Sequence, residues 1–371
     1  MNSSIDVVIP SFRLNEKYIL PMLRLRKPAN VNIKFYLVAD NPSLVPSPAI
    51  QSMVNNGEVF LFVNPQNLGS GLTRNNGMHQ GSGEWILFLD DDVVVPDNLL
   101  EIYAEAALRY PEEIGFIGLV HLPPPHTAFT RALTVGGSLD IFSIAAQKPS
   151  FAWGATANMM IRRSAMGNVS FTGKIPKTGG GEEVDFFLKV RERNSYRNYK
   201  CLPEAAVQHP WWNNERPNFK KPFYYGKGNS WLGDLNPRYA YYDFPNTPET
   251  LLLCALALVV LLLVKPAWVL PLLAFMAGVV MIELAASIVQ ALKRGARASA
   301  QEMLYIITLR LVYETGVLWG KLSRYRFWKI GERFHDDGII NKVYFYRSNT
   351  YKIVKWVLYP LLVLYLLQYF L

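Results

Sequence analysis

Trp85-Ile86-Leu87-Phe88-Leu89-Asp90-Asp91-Asp92 is five apolar residues running straight into three carboxylates. An uninterrupted apolar run of that length fits a strand buried on both faces, as in the middle of a parallel sheet. Three adjacent anions at its end repel one another unless a cation balances them. The apolar pattern recurs upstream, at residues 5–10, 33–39 and 59–63, each read as a strand buried on both faces. Helix-length mixed segments, such as residues 15–25 and 71–80, lie between them. Alternating strands and helices predict an α/β domain with a mostly parallel sheet, whose ligands bind beyond the carboxyl ends of the strands. Residues just after each strand are therefore the candidates for chemistry.

The rest of the chain sets the boundaries of that domain. Of 371 residues, those up to about 246 read as a soluble α/β protein, and 247–371 as a membrane region. Residues 251–264 are uninterrupted apolar, Lys265-Pro266 breaks the run, and 267–282 continues it. The first run spans only about 21 Å at about 1.5 Å per residue, against a bilayer core of about 30 Å. Snorkelling by Lys265 and an interfacial Trp268 extend it into a helical hairpin over about 250–284. Residues 353–371 form a last spanning helix. Between them, 301–319 carries Arg310 and Glu314 four residues apart, so basic helices over about 285–350 are expected to lie in the interface.

Net charge is +9, and residues 293–355 hold 13 Lys/Arg against five Asp/Glu. Lys321, Arg324, Arg326, Lys329 and Arg333 are expected to face anionic headgroups, which places the preceding domain in the cytosol. No nucleic-acid-binding motif accompanies the charge, so no nucleic-acid partner is expected. Cys201 and Cys254 are too few for a disulfide framework or a zinc site. The first residues show no basic patch followed by an apolar stretch, so a cytosolic start is expected.

The post-strand residues carry the chemistry. Asp90, Asp91 and Asp92 offer the hard oxygens that suit Mg²⁺ or Mn²⁺ shared with a diphosphate, or else form a solvated acidic turn. Asp40 follows the second strand and either accepts from a base or ribose or makes a turn before Pro42. Asn67, Gly69 and Arg74 form a glycine turn leading into a helix, a setting for an anion. The run Gly179-Gly180-Gly181 opens a helix bearing Glu182, Glu183 and Asp185 in its first turn. Those acids complement the helix dipole, but three glycines exceed what a cap requires. A substrate packed close to the backbone, with one acid taking a hydroxyl proton, accounts for both. His209 ends another apolar run, before Trp211 and Trp212.

Taken in order, these residues resemble the family 2 glycosyltransferases, which have the GT-A fold, Rossmann-like with a mostly parallel sheet. Residues 7–11, with Pro10, Ser11 and the nearby Arg13, resemble the family's opening strand and nucleotide-side turn, and Asp40 its base-binding acid. Asn67, Gly69 and Arg74 resemble the nucleotide-side helix. Asp90-x-Asp92 matches the DXD motif, so that Asp90 and Asp91 are expected on the nucleotide-sugar and Asp90 and Asp92 on the metal. Residues 153–159, with Gly154, resemble the acceptor-side strand. Glu182-Glu183 falls where the family has Glu-Asp, whose second acid is the base; the longer Glu183 leaves Glu182, Glu183 and Asp185 as alternatives. His209 falls at a C-terminal metal-binding histidine.

The resemblance implies an inverting, metal-dependent transferase that uses a nucleotide-diphosphate sugar. Trp211, Trp212 and Lys227 join Gly154 on the acceptor side, and Lys220 and Lys221 could contact a lipid phosphate. With the anchor, the expected acceptor is lipid-linked or a polyprenyl phosphate, and the protein an integral membrane one. Alternatives are a soluble glycan or protein acceptor, a processive polysaccharide synthase, and a catalytically silent nucleotide-sugar-binding scaffold. Processive relatives carry Gln-x-x-Arg-Trp, whereas here Gln208-His209-Pro210-Trp211-Trp212 has Trp in place of the arginine.

Overall fold

The computed structural model describes residues 3–178, 180–295, 299–340 and 350–370. Gly179 of the glycine run, and Arg297, Lys342, Arg347 and Leu371 of the expected membrane region, lie outside the described residues. The chain folds as two compact units. The first takes Met1–Pro124, Leu139–Trp212 and Asp336–Gly338; the second takes Pro125–Ser138, Asn213–His335 and Ile339–Leu371. The division by contacts thus falls after Trp212 and not near 246, where composition changes.

The first unit opens with β1 (Ser3–Ser11), α1 (Glu16–Leu23), β2 (Val31–Ala39), α2 (Pro48–Asn55) and β3 (Val59–Val63). It continues through α3 (Ser70–Gln80), β4 (Trp85–Leu89), α4 (Leu99–Arg109) and β5 (Gly115–His121). After α5 (Ala128–Gly136), which belongs to the second unit, come α6 (Ile144–Gln147), β6 (Ser150–Phe151) and β7 (Asn158–Arg162). α7 (Arg163–Met166), α8 (Glu182–Arg193) and β8 (Tyr199–Gln208) complete it.

The eight strands form one sheet in the order β3-β2-β1-β4-β7-β5-β8-β6. β1 to β4 are mutually parallel, as are β5 and β8, while β7 and β6 run antiparallel to their neighbours. The expected mostly parallel sheet is present. Central strands are apolar because helices cover both faces; all five residues of β4 are buried. β3 departs from expectation. It closes one edge, leaving Phe60 39% and Val63 48% exposed, and its apolar composition serves one-sided packing such as Phe60 stacked on Tyr36.

Residues 153–157, expected as strand, are an irregular connection; β7 starts only at Asn158. A Cβ on Gly154 would sit 2.8 Å from Ile117 and 2.9 Å from Met159, so the backbone there presses onto the sheet. Asn158 repairs a break next door. Gly118 of β5 faces Leu202, but Leu119 faces Ala206, so Pro203, Glu204 and Ala205 bulge out of β8. Asn158 Nδ2 donates to the carbonyls of Leu119 and Ala205, and Tyr103 donates its hydroxyl to Asn158 Oδ1. Past the bulge, Gln208 exchanges backbone hydrogen bonds of 2.7 and 2.9 Å with Val94. That pairing fixes His209 beside the acidic turn.

The second unit contains α5, α9 (Lys220–Leu235), β9 (Ala240–Tyr242), α10 (Thr247–Val264) and α11 (Val269–Lys293). It ends with α12 (Ala300–Leu322), β10 (Glu332–Phe334) and α13 (Thr350–Phe370). α9 and α12 cross in backbone contact. A Cβ on Gly226 would lie 2.0 Å from the Tyr313 carbonyl, and one on Gly316 2.1 Å from that of Phe223. Gly226 and Ser230 on one helix, Gly316 and Gly320 on the other, give the small-residue spacing that lets helices approach closely. Gly226, beside Lys227, therefore serves helix packing. Gly316→Leu is expected to force this crossing apart and destabilise the unit by about 1–3 kcal/mol or more. Thermal unfolding in detergent checks it, with Gly136→Ala, whose Cβ meets nothing, as an unchanged control.

Among the described residues, three helices are long and apolar enough to cross a membrane: Thr247–Val264, Pro266–Lys293 and Lys352–Phe370. The first two meet at Lys265-Pro266, and the second continues to Lys293. Asn246 and Glu249 cap α10 reciprocally, and Pro248 sits in its first turn. Deep in the bundle, Lys355 reaches Glu283 at 2.7 Å, both 1% exposed.

The basic stretch corrects its sequence reading. Lys321 pairs with Glu249 at 3.1 Å, Arg324 with Asp234 at 2.5 Å, Lys329 with Asp234 at 2.7 Å and Arg333 with Glu249 at 2.5 Å. Four of the five cations expected to face headgroups are thus paired inside the unit, with partners too far along the chain for local sequence to show.

Candidate active site

The acidic turn sits at the carboxyl end of β4, in the centre of the sheet. Each carboxylate has a different neighbour. Asp90 Oδ1 accepts from Arg74 Nη2 at 2.5 Å. Asp91 Oδ2 accepts from Ser11 Oγ at 2.5 Å, and Ser11 Oγ in turn accepts from the Leu14 amide at 2.8 Å. Asp92 lies 3.7 Å from the Arg13 guanidinium and 3.4 Å from His209 Nε2. Burial pushes the Asp91 carboxyl up to about 6, opposed by the Ser11 hydrogen bond and reinforced by Asp92 and Asp90.

Asp90, Asp92 and His209 each bring a ligand atom within 4.8 Å of the others. His209 Nδ1 is 2.6 Å from the Pro210 carbonyl, a contact that fits a proton on Nδ1 and leaves the Nε2 lone pair for a metal. Trp212 and Phe142 pack beside the imidazole, their rings centred 5.0 and 5.6 Å from it and 5.9 Å from each other. Trp211 is buried and donates its indole N–H to the Pro123 carbonyl. Beside the cluster, Arg74 is 3% exposed, and its Nε and Nη1 have no hydrogen-bond partner among the described residues. Two oxygens and an imidazole, next to a buried guanidinium with unused donors, fit a divalent cation carrying an anionic ligand.

Asp40 organises the approach to Arg74. Its Oδ1 accepts from Asn64 Nδ2 and the Leu68 amide, and its Oδ2 from the Gly69 amide. Asn67 Oδ1 also accepts from the Gly69 amide. Gly69 adopts φ +85° immediately before α3, a backbone conformation that glycine supplies without strain. The carboxylate therefore shapes the loop, and Pro10 and Ser11 end the neighbouring strand β1.

The three acids of α8 separate by environment. Gly181, at φ +102°, caps the helix. Asp185 is fully buried and accepts from Lys189 on the next turn at 2.8 Å. Glu182 accepts from Ser70 Oγ at 2.8 Å. Glu183 accepts a short hydrogen bond from Thr156 Oγ1. Burial raises its carboxyl to about 7; Arg74 opposes the shift, Glu182 and Asp90 add to it, and Thr156 opposes it. Glu183 thus shares the field of Arg74 and Asp90, in a setting that places its titration near neutrality.

The structure brings Ser11, Arg13, Arg74, the three aspartates, His209 and Glu183 together in the first unit. Gly154 lies in the connection leading to Thr156, while Lys220, Lys221 and Lys227 are carried by α9 in the second unit. Thr156 and Ser70 are site residues that the sequence reading missed. Each is tied to its acid across a long separation in the chain, which no local pattern marks.

Comparison with known proteins bears on the fold that carries this site. Residues 6–167 match the family model for glycosyl transferase family 2. Among solved structures, the chain is similar to the mannosyltransferase PcManGT from Pyrobaculum calidifontis in complex with GDP-Man and Mn²⁺. That similarity has 14% identity and a TM-score of 0.51, covering 85% of this chain and 87% of that one. S. aureus TarS 1–349 is similar at 16% identity and a TM-score of 0.41, over 84% of this chain and 92% of that one. No curated protein matches by sequence. The chain thus has a GT-A fold, and its residues 6–167 form a domain that resembles those of glycosyl transferase family 2.

Proposed function

We propose that the protein transfers a sugar, with inversion, from a nucleotide-diphosphate sugar to a lipid-linked acceptor at the cytosolic face of a membrane. The observation that carries this reading is one convergence: three metal-ligating side chains, a buried arginine with unused donors, and a carboxyl titrating near neutrality. Asp90, Asp92 and His209 would hold Mn²⁺ or Mg²⁺, which when bound supplies positive charge to the diphosphate leaving group. Arg74 adds its two unpartnered nitrogens, Nε and Nη1, to the same anion.

Glu183 is the general base in this reading. Asp185 is engaged by Lys189 and Glu182 by Ser70, whereas Glu183 titrates where it can take a proton at neutral pH. Thr156 holds its Oε1 and leaves the second oxygen for the acceptor. The leaving group's anchors and the base are separate residues, as a single displacement requires. A base also bears on the acceptor. A hydroxyl must lose a proton on attack, whereas a lipid phosphate oxygen arrives already ionised, so Glu183 favours a lipid-linked hydroxyl over a polyprenyl phosphate. The three membrane-length helices favour a lipid over a soluble glycan or protein, and the Lys/Arg excess beside them favours the cytosolic side.

The test is donor turnover by the purified full-length protein with a panel of UDP- and GDP-sugars, in Mn²⁺, Mg²⁺ or EDTA, with and without membrane lipid extract. Metal-dependent release of one nucleotide, stimulated by lipid, is expected. Absence of turnover and of calorimetric binding with every donor would overturn the reading. His209→Ala is expected to raise the Mn²⁺ concentration needed by about 10–100-fold. Mn²⁺ binding followed by electron paramagnetic resonance checks this independently of activity.

A further inference from the structure

The turn after α12 presents a concentration of exposed aromatic rings. Tyr325 is 76%, Phe327 54% and Trp328 64% exposed, and Trp319, on the last turns of α12, is 54% exposed. Large aromatic side chains in water within ten residues of one another form an apolar patch of the kind that marks an interaction surface. The backbone is constrained to present it. Tyr325 has φ +57°, a left-handed conformation that a bulky side chain adopts only when its surroundings hold it there.

What holds it is the set of ion pairs that absorbs the basic stretch. Arg324, just before the turn, donates to Asp234 and to the Ser230 carbonyl; Lys329, just after it, reaches Asp234 and Glu332. Tyr325 and Phe327 meet edge to face at 6.3 Å, and the Arg326 guanidinium lies 5.5 Å from the Trp328 ring centre.

The same cage fixes the turn's height along the membrane helices. Lys321 and Arg333, on either side of it, both end on Glu249 in the first turn of α10. Arg333 Nη2 also donates to the Phe244 carbonyl, just upstream of α10, and β10 pairs with β9. The aromatic turn is therefore latched to the level at which the chain enters its first membrane-length helix. At that level aromatic rings find their preferred place between headgroups and acyl chains.

We propose that Tyr325, Phe327 and Trp328 form an interfacial anchor that inserts into the headgroup layer of the bilayer. The neighbouring cations form the scaffold of this anchor and are not lipid ligands. Insertion is thus driven by apolar and aromatic burial and is independent of anionic lipid. The proposal rests on α10, α11 and α13 being membrane-spanning, and does not depend on the transfer reaction.

The test uses the full-length protein in nanodiscs with an environment-sensitive fluorophore on Phe327→Cys. Separate probes sit at Val45→Cys, on the first unit, and Leu263→Cys, near the end of α10; these positions are 85% and 82% exposed. The native cysteines are buried. Iodide quenching at 327 is expected to be at least about fivefold weaker than at 45, with strong quenching by lipids spin-labelled near the headgroup. The result should be the same in neutral and in anionic nanodiscs. Trp328→Cys must report the same depth, so that the conclusion does not hang on one variant. Iodide access at 327 and 328 equal to that at 45, beside a lipid-quenched 263, overturns this proposal alone, as does protection without lipid quenching or insertion only into anionic nanodiscs. Absence of lipid quenching at 263 overturns the spanning assignment and this proposal with it.

Discussion

Glu183→Gln is expected to lower sugar transfer by about 10²–10⁴-fold, the range that a positioned general base contributes. The amide keeps the side chain's size and can still accept from Thr156, so donor binding should persist. Glu182→Gln and Asp185→Asn should cost less transfer, since these acids are spent on Ser70 and Lys189. The pH profile provides the sharper reading. A base must be ionised to act, and burial holds the Glu183 carboxyl up to about 7. Transfer by the unaltered protein should therefore climb about tenfold per pH unit on the acid side and level off above about 7. The groups acting on that titration are Arg74 on α3, Asp90 after β4, Glu182 on α8 itself and the Thr156 hydroxyl before β7. In the Gln variant the climb should vanish along with the rate. Transfer within threefold of the unaltered protein, with the climb intact, would remove Glu183 from the reaction.

The largest effect on stability is expected at Glu249. Its side chain is 0% exposed and accepts from Lys321 Nζ at 3.1 Å and from Arg333 Nη2 at 2.5 Å. It also closes the cap of α10 by accepting from the Asn246 amide at 3.0 Å. Glu249→Ala removes the anion and strands two cations in the interior, which typically costs about 3–5 kcal/mol. Glu249→Gln keeps part of the hydrogen bonding and should lose less. Both are measured by thermal unfolding in detergent. An unchanged midpoint for the Ala variant would mean that the cage carries no net stability. If that variant does not accumulate, the Gln variant still discriminates.

How legible these features were depends on how local their causes are. β1, β2 and β4 announce themselves because a strand buried on both faces is apolar throughout, and the acids at the end of β4 follow it directly. The edge position of β3 is hidden, since its composition matches that of the central strands. The irregular path of residues 153–157 depends on Gly154 meeting Ile117 and Met159, and on Asn158 mending a bulge in β8. The double role of Asp40 toward the Leu68 and Gly69 amides likewise appears only once the loop closes. The basic stretch misled for the same reason. Its charges were read correctly, but Asp234 and Glu249, which neutralise them, lie 72 to 95 residues away.

Those separations also impose an order on biosynthesis. Glu249 enters the membrane region with the first helix, while its partner Arg333 is made 84 residues later. At about 5–20 residues per second, the first helix exists for about 4–17 s before its counter-charge has been synthesised. Over that interval its carboxylate must stay in contact with water or with the insertion machinery. With α10 and α11 crossing a membrane, as proposed above, their insertion would be provisional until the ribosome has finished the cage. Nascent chains arrested before Lys321 should accordingly be extracted from membranes more readily than chains arrested beyond Arg333.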